Sequence, residues 1–166
     1  MASDFRLSLR LLWVASILVS ASALSSCSNV GEGPGGKISK VKVFHLIPTE
    51  QVRSSDRSLA FERQYRLRGA VTAAEQRERA GQYYDFLWSV TDRTQPVTIK
   101  MQYRQANTGL ETFVMTQEVT DVRRSNWSNF QVTGPAYNSN GRVTSWKLTL
   151  ERGGEVIGSQ QSYLWE

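Results

Sequence analysis

Between residues 96 and 104 the chain reads PVTIKMQYR, and Val97, Ile99, Met101 and Tyr103 fall on every second position. Alternate residues of an extended chain point to opposite sides, so this period buries one face only as a β-strand. The same period recurs along the chain. In KVKVFHL (40–46), Val41, Val43 and His45 alternate with Lys40, Lys42 and Phe44. SLAFERQYRL (58–67) aligns Leu59, Phe61, Tyr65 and Leu67, and YYDFLWSV (83–90) aligns Tyr84, Phe86, Trp88 and Val90. TFVMTQEV (112–119), WSNFQV (127–132), VTSWKLTL (143–150) and EVIGSQQSYLW (155–165) complete eight expected strands. That number of alternating segments predicts an all-β, antiparallel domain, a sandwich or a barrel.

Turn chemistry supports this reading. ANTGLE (106–111) and ERGGE (151–155) are short glycine-bearing connections suited to hairpins, and NSNGR (138–142) contains Asn-Gly. TDRTQ (91–95) is expected to join two further neighbours. One segment departs from the period: TAAEQRERAG (72–81) places Thr72 three residues before Glu75, a capping box, and ends on Gly81. Its apolar residues are alanines, so a short surface helix is expected there. Placed between strands two and three, that helix suggests a crossing between sheets. The expected architecture is therefore a Greek-key β-sandwich, immunoglobulin- or fibronectin-like, with Trp88 in its core. The inter-sheet disulfide of antibody domains cannot form, because Cys27 is the single cysteine.

That cysteine stands at a junction. Arg6 and Arg10 precede LLWVASILVSASAL (11–24), an uncharged run that reaches about 21 Å as a helix. A hydrocarbon core is about 30 Å thick, so the run suits a signal peptide better than a membrane span. Leu24-Ser25-Ser26-Cys27 then resembles the lipobox of bacterial lipoproteins. The resemblance implies cleavage before Cys27, diacylglyceryl attachment to its sulfur and acylation of the new amino group. Each buried methylene contributes about 0.8 kcal/mol, so two or three chains hold a protein at a bilayer. Ser28 lacks the acidic character that retains enterobacterial lipoproteins at the inner membrane, and so implies outer-membrane sorting. SNVGEGPGGK (28–37) is expected to be a flexible tether reaching about 17 Å. The chain thus divides into a signal peptide (1–26), a lipidated cysteine with its tether (27–37) and a β-sandwich domain (38–166).

Composition removes many chemistries. One cysteine and one histidine, His45, leave no thiolate-rich zinc site and no ordinary histidine-based triad. The net charge of +5 is scattered rather than clustered, which does not suit nucleic-acid binding. No glycine-rich phosphate or dinucleotide motif is present. His45 alternates with Val41 and Val43, which places it at the border of the core. Asp85 and Asp92 are the carboxylate pair that glycoside chemistry would need, but a strand face and a turn are ordinary sites for acids. Arg66, Arg68, Arg123, Arg124, Tyr83 and Trp127 could form an aromatic and cationic surface for an envelope glycan or protein. The reading of the whole is a lipid-anchored cell-envelope protein whose sandwich is a non-catalytic binding or structural module, without cofactor or metal. A lipocalin-like carrier of an apolar ligand comes second, and an envelope carbohydrate hydrolase third.

Overall fold

The computed structural model describes residues 31–47 and 57–165; the expected signal peptide, Cys27 and Ser28 lie outside them. Eight strands form two four-stranded antiparallel sheets. The first sheet has the order β1 (Gly31–Glu32), β2 (Gly36–Leu46), β3 (Gly81–Val90) and β6 (Asn126–Thr133). The second has the order β5 (Phe113–Val119), β4 (Val97–Gln105), β7 (Val143–Arg152) and β8 (Glu155–Gln161). Among the described residues three helices accompany them: α1 (Arg57–Arg66), α2 (Ala73–Glu78) and α3 (Gly134–Asn140).

The core is the meeting of the alternating faces. Ile38, Phe86, Trp88, Val97, Ile99, Met101, Leu148 and Leu150 are fully buried. Burying each large side chain contributes about 1.5–3 kcal/mol. Trp146 meets Phe86 edge-on at 5.3 Å and Tyr84 at 6.2 Å, joining the two layers. The Trp88 indole N–H is satisfied by donating to Ser128 Oγ at 2.9 Å, so the largest core residue leaves no orphan donor. At one end α3 closes the gap between the sheets. The Gln105 amide, 1% exposed, donates to the carbonyls of Ala136 (3.1 Å) and Gly141 (2.7 Å), and Gln82 Oε1 accepts from the Val143 amide.

Several expectations are corrected. Residues 58–67 are not a strand but α1. The segment lacks β-branched residues and is rich in helix formers, and Phe61 and Tyr65 are as well spaced for one helix face as for a strand. The connection 91–96 does not form a hairpin: β3 and β4 each bury a full face and lie in opposite sheets. Likewise α1 and α2 link β2 and β3, neighbours in one sheet, so the helices return over that sheet instead of crossing between sheets. The turn at 138–142 is the end of α3, started by Pro135 in the first turn and stopped by Gly141 at a φ of 76°. The helix at 72–81 is present as α2 with its capping box complete, and the hairpins β4–β5 and β7–β8 form as expected.

The tether is the largest correction. Residues 31–37 form a hairpin, with β1 paired onto β2 across a turn at 33–35 and Gly36 buried. The glycines serve close approach rather than slack. This hairpin passes directly against β8, where the Gly35 amide donates to Ile157 O at 3.0 Å. A Cβ on Gly33 would lie 2.5 Å from Ile157 O, and one on Gly158 would lie 2.8 Å from Gly36 O. Both obstacles are backbone and cannot swing aside. Gly158→Ala should therefore cost about 2–3 kcal/mol and lower the urea midpoint. Gly35→Ala, whose Cβ would come no closer than 3.5 Å to the Ile157 side chain, should change stability by less than about 0.5 kcal/mol.

Candidate binding surface

The register of the first sheet arranges its outer face in rows: Phe44, Tyr83 and Gln131; then Lys42, Asp85 and Asn129; then Lys40, Leu87 and Trp127. Over the first rows lie α1 and α2. What holds them is polar. The Arg66 guanidinium packs over the Tyr83 ring at 4.5 Å and beside Tyr65 at 5.6 Å, and donates to Asp85 Oδ2 at 3.0 Å. Asp85 accepts a second bond from the Asn129 amide, and Glu62 approaches Arg66 Nε at 3.5 Å. Arg66 and Asp85 are mostly shielded, at 16% and 17% side-chain exposure, so the pair is worth more than an ordinary surface bridge.

A second arginine closes the helical connection. Arg79 Nη1 donates to the carbonyls of Arg66 (3.1 Å) and Arg68 (2.9 Å), and its own carbonyl accepts from the Tyr83 hydroxyl at 2.7 Å. Burial raises the Tyr83 hydroxyl pKa, against the opposing pull of Arg66 and Arg79, so Tyr83 stays a neutral donor. In the capping box that holds the start of α2, the Glu75 amide donates to Thr72 Oγ1 and the Thr72 amide donates to the Glu75 carboxylate. Bonds donated to it by the Thr72 amide and hydroxyl, and by the Val71 amide, keep the Glu75 carboxyl below its ordinary value.

Between the helices and β6 runs an open groove of about 630 Å³. Arg66, Arg68 and Arg79 line it with Tyr65, Tyr83 and Gln131, and Glu78 is the one carboxylate there. Beside it, two rows along the sheet, Trp127 is 46% exposed and carries Lys42 Nζ at 5.3 Å from its ring. Guanidinium forks, a cation on an indole and a bare tyrosine face suit anionic groups joined to apolar surface.

The structure brings Arg66, Arg68 and Tyr83 together in the groove and sets Trp127 on the same face. Arg123 and Arg124 lie apart, in the β5–β6 loop. There the Asn126 side chain clasps Arg123 N and O at 2.8 Å, and the Arg123 guanidinium pairs with the exposed Asp121 at 2.9 Å. Sequence reasoning missed Arg79, Tyr65, Lys40 and Lys42 as members of this face. The lysines' alternation in KVKVFHL was the available signal. Asp85 and Asp92 do not converge: Asp85 sits on the outer face, while Asp92 lies beyond the end of β3, roughly 20 Å along the strand, accepting from Thr94 N at 2.9 Å. His45 is exposed, with Nε2 at 2.7 Å from the Tyr137 hydroxyl. Among the described residues no group of three or more His, Cys, Asp or Glu is placed to hold a metal ion, and no helix is long and apolar enough to cross a membrane.

Removing the hub should loosen the helices before the sandwich. In Arg66→Met, amide exchange across 57–66 should accelerate about tenfold while β3 and β4 stay protected. Protection loss spread evenly over both sheets would contradict this. The cap is testable by pH. A depressed folded pKa contributes stability that is complete above the ordinary value of 4.5 and is lost as pH falls through the folded one. In Thr72→Val, the Glu75 carboxyl titration followed by NMR should move back up towards 4.5.

No family model matches this sequence, and no curated protein does. A solved chain described as a crystal structure from Akkermansia muciniphila is similar over 79% of this chain and 70% of that one, at 10% identity and a TM-score of 0.40. That likeness is too slight to inform the fold or the function.

Proposed function

We propose that this chain is a lipid-anchored cell-envelope protein, cleaved before Cys27, acylated there, and carrying its β-sandwich as a non-catalytic binding module. Ser28 supports sorting to an outer membrane, with the domain facing the periplasm. The observation that carries the binding role is the outer face of the first sheet, where Arg66, Arg68, Arg79 and Tyr83 line an open groove. The ligand that suits it is anionic and surface-borne, in keeping with an envelope partner. The core supports a surface role over a carrier role, since Trp88, Phe86, Met101 and Leu148 occupy the space between the sheets where a lipocalin-like protein would hold its ligand. A carbohydrate hydrolase is not favoured by the placement of Asp85 and Asp92. Three crossings between the sheets, β3–β4, β5–β6 and β6–β7, are compatible with a Greek-key reading of the sandwich.

Expression of the full chain in a bacterial host tests the anchor. Wild-type protein should partition into detergent and show acyl mass on an N-terminal peptide that begins at Cys27. Cys27→Ser should lose both the acyl mass and the cleavage. A wild-type chain recovered in the aqueous phase with an unmodified Cys27 thiol would refute the reading.

A further inference from the structure

We propose that Asn140–Gly141 is a covalent modification site that the fold holds closed, and that its deamidation makes an opening of α3 permanent. This stands independently of the anchor and of the binding face.

Asn140 is the one asparagine of the chain that glycine follows. An asparagine side chain cyclises most readily at such a pair, because no side chain on the next residue shields its nitrogen. The Gly141 nitrogen, once it has given its proton to solvent base, bonds to Asn140 Cγ. The bond from Cγ to the side-chain nitrogen breaks, and that nitrogen takes a proton from water and leaves as ammonia. A water molecule then opens the cyclic imide at either carbonyl. The product is an aspartyl residue, or an isoaspartyl one whose main chain runs through the former side chain. Water is the one co-reactant, and nothing is oxidised or reduced.

The closed fold blocks each requirement of this step. Asn140 is the last residue of α3, and the imide ring forces ψ well away from the helical value of about −42°. The attacking nitrogen is occupied, since the Gly141 amide donates to Tyr137 O at 2.8 Å. On either side the chain is pinned: the Asn140 carbonyl accepts from the Asn107 amide at 3.0 Å, and the Gly141 carbonyl from Gln105 Nε2 at 2.7 Å. The Asn107 side chain lies against Gly141, where a Cβ would meet it at 3.2 Å, and donates to Ser139 O at 3.2 Å.

The two residues differ in what the turn asks of them. Gly141 sits at a φ of 76°, a conformation that favours glycine. Nothing comparable requires asparagine at 140: among the described residues its side-chain amide reaches only Gln105 Oε1, at 3.5 Å. After reaction the lock cannot re-form. An aspartyl carboxylate sets an acceptor against Gln105 Oε1, and an isoaspartyl link adds a carbon between the points that Asn107 and Gln105 hold. The helix then stays off the end of the sandwich.

The test holds the full-length protein at mildly alkaline pH and follows Asn140 by peptide mass spectrometry and isoaspartyl methylation. Amide exchange of 134–141 is read on the same samples. Native protein should convert more than about a hundredfold more slowly than the chain in urea. Gln105→Ala, which orphans the Ala136 and Gly141 carbonyls, should speed both conversion and Gly141 exchange about tenfold while β3 and β4 stay protected. Asn107→Ala, which removes only that side chain's contacts, should act more weakly in the same direction, and serves if Gln105→Ala does not fold. Asn140→Gln should abolish conversion and leave exchange unchanged. Converted protein, separated by its added charge, should exchange freely across α3 with both sheets intact. Native conversion at the unfolded rate overturns the proposal. So do unchanged exchange in both opening variants, faster exchange without faster conversion, and converted protein whose Gly141 amide is still protected.

Discussion

Backbone pressed on backbone, at the contact of Gly36 with Gly158, is what makes one molecule of two sheets. Hydrogen-bonded strands stand about 5 Å apart, and side chains ordinarily hold packed sheets about 10 Å apart. At this corner neither strand carries a side chain, so the layers converge until the Gly35 amide reaches Ile157 O. The wide interior on the other side of the corner is what Trp88, Phe86 and Trp146 then fill. Large aromatics in the core and glycines at the seam are two halves of one geometric solution.

Arg66 plays the corresponding part outside. One guanidinium covers Tyr83, satisfies Asp85 and faces Glu62, so a helix with no buried residue is still fixed to the sheet. The attachment is electrostatic and leaves the apolar side of α1 free to face outward. A helix docked through leucines would have spent its rings on the sheet. Here Phe61 and Tyr65 remain available to whatever lies above.

Much of the sandwich was legible because alternation has one physical cause. The strands β3, β4 and β7 bury one face against the opposite sheet, and their sequences show it. The helix α1 was misread because its apolar residues face solvent, where neither period is enforced by burial. The N-terminal hairpin was misread for a different reason: glycine is the residue of slack and also of close approach, and only the position of β8 tells them apart. In the binding face, Arg66, Arg68 and Tyr83 could be named from composition. Lys42 showed only as part of the alternation in KVKVFHL, and Arg79 not at all, because its partners Arg66 and Arg68 meet it only once the α1–α2 connection folds back.

The buried Gln105 amide has a consequence for errors of folding. It is the last residue of β4, and its two carbonyl partners belong to α3 and the turn after it. Sliding β4 by one residue would carry Gln105 out to solvent and drive Arg104 inward, leaving the Ala136 and Gly141 carbonyls unanswered. An apolar side chain at 105 would tolerate such a slip far better. The amide thus acts as a proofreading device for strand alignment: it adds little to the correct structure and penalises the misaligned ones.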